Sequence, residues 1–170
     1  MKKYLGFLIL LIGSSAMATS ILPHGRTDHN IRLRYERTPT AFAQDTADYA
    51  KKVITVRANG EVTYRFCAKF PQGAHSTRPC TTTFIARLTA HRMDKIERDI
   101  RAAEFGSILD NSRMIRCRAI PGEHENFTAD GGSALLKDGA VPCGGMTWND
   151  SVAAKRLVVY LQNLMLKADR

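Results

Sequence analysis

The 170-residue chain reads as an α+β domain: a mainly antiparallel sheet of about four to five strands, two helices packed on one face, and disulfide staples. Three observations predict this. Residues 53–67, VITVRANGEVTYRFC, set two runs rich in β-branched and aromatic residues around Asn59-Gly60, a strong hairpin signal. Two later stretches repeat their apolar residues at helical spacing. Four cysteines, Cys67, Cys80, Cys117 and Cys143, follow an export-type leader.

The leader comes first. Met1-Lys2-Lys3 is a basic start, residues 4–12 are almost unbroken apolar, and Ala16-Met17-Ala18 offers the small residues a signal peptidase needs. The apolar run falls well short of the ~20 residues that span a bilayer. Cleavage is expected after Ala18, placing the mature chain in the periplasm or outside the cell. That leaves 152 of the 170 residues and removes Lys2 and Lys3, so 25 basic residues become 23 against 16 acidic and the formal charge falls from +9 to +7. The mature chain carries no second long apolar segment and has the size of one domain. Its charge favours anionic partners through a salt-sensitive field, but the basic residues are scattered.

Residues 19–50 read as a poorly ordered basic arm ahead of a single domain at 51–170. The alternation in Ile31-Arg32-Leu33-Arg34-Tyr35 also fits a short edge strand. His24 and His29 have no partner at metal-ligand spacing and are read as surface histidines.

Parity decides the form of the hairpin. A two-residue turn at Asn59-Gly60 would pair Ile54 with Arg65 and Val56 with Thr63, sending apolar side chains to opposite faces. A three-residue loop with Gly60 in the left-handed region instead pairs Val56 with Val62 and Ile54 with Tyr64, leaving one apolar face that requires a cover. Residues 68–79 form a loop. Residues 80–88, CTTTFIARL, give a third strand on which Phe84, Ala86 and Leu88 share a face. Four cysteines allow three connectivities; Cys67–Cys80 with Cys117–Cys143 is favoured because each bridge closes a local loop, contributing on the order of 3 kcal/mol each by chain entropy. No C-x-x-C is present to suggest zinc.

Thr89 offers an N-cap to a helix over 90–105, with Met93, Ile96, Ile100 and Ala103 inward and Gly106 as its stop. Asp94/Arg98, Lys95/Asp99 and Glu97/Arg101 are set for i,i+4 pairing on a solvated face. Residues 114–120 alternate as a fourth strand, where Arg113, Arg116 and Arg118 form the most local basic cluster and a candidate binding patch. Residues 121–126 read as a polar loop. Residues 127–129 and 134–136 flank Asp130-Gly131-Gly132-Ser133 as a second hairpin or an ordered loop, and Asp138-Gly139 reads as a turn. The chain closes with a helix over 151–167, capped by Asn149 or Asp150.

The search for chemistry returns little. G-x-S-x-G, H-E-x-x-H, phosphate-loop, dinucleotide and EF-hand patterns are all absent. Cys143 with His124 or His75 would make a nucleophile pair, but an exported cysteine among four is expected to be oxidised. Glu123, Glu125, Asp130 and Asp138 are acids available to a hydrolase, and they sit in turn-like segments where solvated acids are ordinary. The reading is therefore a non-catalytic exported module, without cofactor or metal, that binds a protein or an anionic envelope polymer. Charge reversal at Arg113, Arg116 and Arg118 is expected to weaken that binding; the outer face of the sheet, expected to carry Thr, Arg and Glu, the basic arm and the loop 68–79 are the other surfaces to search. The alternative is a small exported hydrolase with loop-borne acid or base groups.

Overall fold

The computed structural model describes residues 30–40, 43–44, 46–69, 80–111, 122–141 and 144–170. The leader, residues 19–29, the expected strand at 114–120 with Arg113, Arg116 and Arg118, and both Cys117 and Cys143 lie outside the described residues. The elements are β1 (Ile31–Pro39), β2 (Tyr49–Arg57), β3 (Glu61–Ala68), β4 (Cys80–Arg87), α1 (Ala90–Ala103), β5 (Ile108–Asp110), β6 (Glu123–Ala129), β7 (Ala134–Val141), β8 (Met146–Asn149) and α2 (Val152–Ala168).

The α+β class holds, but the expected four to five strands are an undercount. Among the described residues eight strands form one antiparallel sheet, ordered β4-β3-β2-β1-β6-β7-β8-β5. The central hairpin has the expected register, with Val56 opposite Val62 and Ile54 opposite Tyr64. Gly60 takes φ +78° at its turn, a region that favours glycine. The Cys67–Cys80 disulfide staples β3 to β4.

Four readings need correction. Residues 31–39, placed in an arm or on an edge, form the strand between β2 and β6 and hydrogen-bond on both sides. Residues 123–126, read as loop, belong to β6. There the inward positions are carboxylates, so the strand lacks the apolar alternation that would announce it. Asp138-Gly139, read as a turn, lies inside β7, where a Cβ on Gly139 would meet Gly145 O and Met146 Cγ at 2.6 Å; the glycine admits the neighbouring β8 backbone. In β4, Val62 faces Ala86 but Thr63 faces Phe84, and the extra residue reverses the parity of the strand. Phe84 is consequently exposed, while Ile85 and Ala86 pack on the core.

One core fills the space between sheet and helices. Leu33, Tyr35, Ile54, Val56, Val62 and Phe127 meet Ile96 and Ile100 of α1 and Leu157, Leu161 and Met165 of α2. Tyr35 stacks on Phe127 with centroids 4.0 Å apart. The Thr89 hydroxyl caps α1 as expected. Ser151 caps α2, its Oγ accepting from the Ala154 amide at 3.0 Å. Asn149, expected as that cap, is buried and donates instead to the Ala103 carbonyl at 2.7 Å, joining the end of α1 to the start of α2. The i,i+4 pairs expected along α1 give way to tertiary ones: Glu97 pairs with Arg32 of β1 at 2.8 Å, and Asp99 pairs with Arg156 of α2. Among the described residues no helix is long and apolar enough to cross a membrane.

Candidate functional site

Two polar constellations arise from this register, one on each face of the sheet. The first lies on the helix side, past the last turn of α2, where Arg37, Glu123 and Glu125 occupy inward strand positions. The Tyr35 hydroxyl donates to Glu125 Oε1 at 2.6 Å, and Lys137 Nζ donates to Glu125 Oε2 at 3.0 Å. Arg37 Nε donates to the Tyr35 oxygen at 3.0 Å and lies 3.2 Å from Oε2 of Glu123, whose Oε1 accepts from Tyr49. Asp169 accepts from Lys52 at 3.0 Å and from Tyr64 at 2.8 Å, tying the C-terminal end of α2 to β2 and β3.

Three carboxylates, three cations and three phenols thus satisfy one another. Burial would raise the Glu125 carboxyl, but the hydrogen bonds from Tyr35 and Lys137 and the charges of Lys137 and Arg37 outweigh it, holding the group below the usual carboxylate range. Burial, together with the adjacent carboxylates, pushes the Tyr35 and Tyr49 phenols up, so they stay protonated. A general acid or base works best with a pKa near the operating pH. Here the Glu125 carboxylate is held charged and the phenols are held neutral, an arrangement that suits anchoring.

The other two acids considered for a hydrolase sit elsewhere. Asp130 pairs with Arg32 at 3.0 Å in the turn between β6 and β7. Asp138 accepts from Asn126 at 2.9 Å and lies 3.5 Å from His124 Nε2 on the opposite face of the sheet. The structure therefore does not bring Glu123, Glu125, Asp130 and Asp138 to one point. His75 and Cys143 are outside the described residues.

The second constellation is the sheet face turned away from the helices. Its rows run across the strands: Thr63, Thr55, Arg34 and Thr128 in one, Thr82, Arg65, Val53, Glu36 and Asn126 in the next, with Arg57 and Lys51 at the two ends of β2. Over β1 to β4 these side chains line a shallow concavity of about 450 Å³, with the Cys67–Cys80 bridge on one wall. Four of its lining residues are basic, Arg34, Lys51, Arg57 and Arg65, and none is acidic; Glu36 lies beside it on the same face of β1. Glu36 is shared, 2.6 Å from both Arg34 and Lys51. Burial raises its carboxyl, and the hydrogen bonds and charges of Lys51 and Arg34 more than reverse this, so it stays ionised. Arg57 and Arg65 are exposed and pair with no carboxylate among the described residues.

This cluster escaped sequence reading because its members are spread over residues 34–65 and converge only through the β1–β2–β3 register. The expectation that the outer face would carry Thr, Arg and Glu was the available signal. Among the described residues no group of three His, Cys, Asp or Glu side chains could hold a metal ion. The arrangement defines an α+β domain with one face covered by helices and the other open and basic. No known protein family, curated protein or solved structure matches the chain.

Proposed function

We propose that the protein is an exported, non-catalytic binding module that takes an anionic partner, a protein or an envelope polymer, on its open sheet face. The observation that carries this reading is the imbalance of charge there: four cations line a concave surface, only two of them pairing with the adjacent Glu36, while the ionic groups on the helix side neutralise one another. Arg57 and Arg65 are the two cations with charge to spare, and the threonine hydroxyls between them supply neutral donors and acceptors. Export after Ala18 and a second bridge, Cys117–Cys143, belong to the same reading. The leader motif supports the first, and the Cys67–Cys80 bridge, which leaves Cys117 and Cys143 as the remaining pair, supports the second.

The test is retention of the mature chain, starting at Thr19, on an immobilised sulfated polysaccharide and in a pull-down from envelope extract. The double variant Arg57→Glu/Arg65→Glu is expected to elute at markedly lower salt and to lose the captured species while melting at the wild-type temperature. A variant that binds as the wild type does would overturn the assignment of this face.

A further inference from the structure

Resting on the reading of the open sheet face as a binding surface, we infer that its partner is an acidic polysaccharide, held by its charges at Arg57 and Arg65 and by one sugar ring at Phe84. β4 is an edge strand of the sheet. The irregularity between Val62 and Thr63 sets Phe84 opposite Thr63, an outward residue that lines the concavity. Phe84 is 57% exposed. A lone exposed ring is ordinary on a protein surface, and it is the place of this one that matters. It ends the row Phe84, Thr63, Thr55, Arg34, which crosses four strands from β4 to β1. Aromatic face, hydroxyls and cation thus stand in one line of three strand spacings, about 14 Å. The next row, Thr82, Arg65, Val53 and Glu36, brings Arg65 alongside. At the hairpin end Glu61 lies opposite Arg87 and beside Arg57, so cations again outnumber acids there.

An acidic polysaccharide answers each feature. The C–H groups on one face of a sugar ring suit the negative face of a phenyl ring. Threonine hydroxyls donate and accept as sugar hydroxyls do. The guanidinium forks of Arg57 and Arg65 match carboxylate or sulfate groups on the polymer.

Other anionic polymers fit less of this surface. A protein interface dries an apolar core, whereas the side chains between these cations are threonines and the nearly buried Val53. A single-stranded nucleic acid is held by a series of stacking rings, and Phe84 is the one aromatic ring on this face of β1 to β4 among the described residues.

The experiment titrates three probes into the mature protein by calorimetry at fixed moderate salt: hexagalacturonate, a terminally capped hexaglutamate of equal charge, and hexathymidylate. Hexagalacturonate is expected to bind at least ~3-fold more tightly than hexaglutamate. Phe84→Ala is expected to weaken hexagalacturonate by about 3–10-fold, the worth of one aromatic contact, and to leave hexaglutamate unchanged. Phe84→Tyr should keep the wild-type affinity, and Arg57→Glu/Arg65→Glu should lose both carboxylate probes. Equal binding of the two carboxylate probes, tightest binding of hexathymidylate, or a Phe84→Ala protein that binds hexagalacturonate as the wild type does would overturn the polysaccharide and leave the open face as a binding surface. Binding of no probe, or binding indifferent to Arg57→Glu/Arg65→Glu, would overturn the reading of the face together with it.

Discussion

Replacing Glu125 tests the account of the helix-side network most directly. The side chain is buried and accepts from Tyr35 at 2.6 Å and from Lys137 at 3.0 Å, with Arg37 3.7 Å away. In Glu125→Ala the fully buried Tyr35 hydroxyl loses its acceptor, a loss worth about 1–3 kcal/mol. Lys137 and Arg37 lose a counter-ion, but Lys137 keeps some contact with solvent and Arg37 keeps Glu123. The total is therefore expected at about 2–4 kcal/mol, below the roughly 3–5 of a fully buried pair, and it lowers the melting temperature by about 5–15 °C. Glu125→Gln retains an acceptor for Tyr35 and should cost about half as much.

The pH dependence carries an independent sign. The folded-state pKa of Glu125 lies below its unfolded value of about 4.3. Its stabilisation is thus fully present above that unfolded value and is lost as pH falls through the folded pKa. The gap in urea-unfolding free energy between wild type and Glu125→Gln should be constant from pH 8 to about 5 and close below about 4. Taking the difference cancels the other carboxylates that titrate in that range. A gap that stays constant down to pH 3, or a cost below ~1 kcal/mol for Glu125→Ala, would refute the reasoning.

Four further outcomes follow from local geometry. Gly60→Ala puts a Cβ 2.9 Å from the Leu88 carbonyl oxygen at φ +78° and should cost about 1–3 kcal/mol in urea unfolding. Removing the Cys67–Cys80 bridge, which spans 13 residues, by Cys67→Ala/Cys80→Ala should cost about 3 kcal/mol, read as a drop in melting temperature. Ser151→Ala removes the cap of α2 and should cost about 1 kcal/mol by the same assay. Alkylation of the denatured, unreduced mature protein should find no free thiol; two modified cysteines, Cys117 and Cys143, would disprove the second bridge.

The parts of the fold legible in sequence are those where one periodicity rules. The β2–β3 hairpin was readable down to its register because Ile54, Val56, Val62 and Tyr64 can share a face in only one pairing. Both helices were readable because their inward residues keep helical spacing. The sheet was undercounted where polar side chains replace the apolar set. Glu123 and Glu125 point into the protein because tyrosines and Arg37 from other strands satisfy them, and no local pattern records such partners. With the first half of β6 unseen, β1 could not be recognised as interior, although its Leu33/Tyr35 alternation was plain. The three-residue β5 and four-residue β8 are too short to show a period at all.

The candidate sites share this dependence on register. Arg34, Lys51, Arg57 and Arg65 look like scattered charge in the chain and become one surface only when β1 to β4 are laid side by side. The same register separates charges that hold the fold from charges left for a partner. On the helix side Arg37, Lys52 and Lys137 each face a carboxylate, so changing any of them should be felt as stability. On the open side Arg57 and Arg65 meet no carboxylate among the described residues, so reversing them removes no native contact and lowers repulsion with Arg34 and Lys51. A chain whose charge merely aided solubility would have no reason to sort its cations in this way. The prediction is therefore a double dissociation: Glu125 variants melt early yet keep polyanion affinity per folded molecule, while Arg57/Arg65 variants melt normally and lose it. Loss of both properties by both sets of variants would mean that the two faces of the sheet are coupled and that the division of labour argued from the register is wrong.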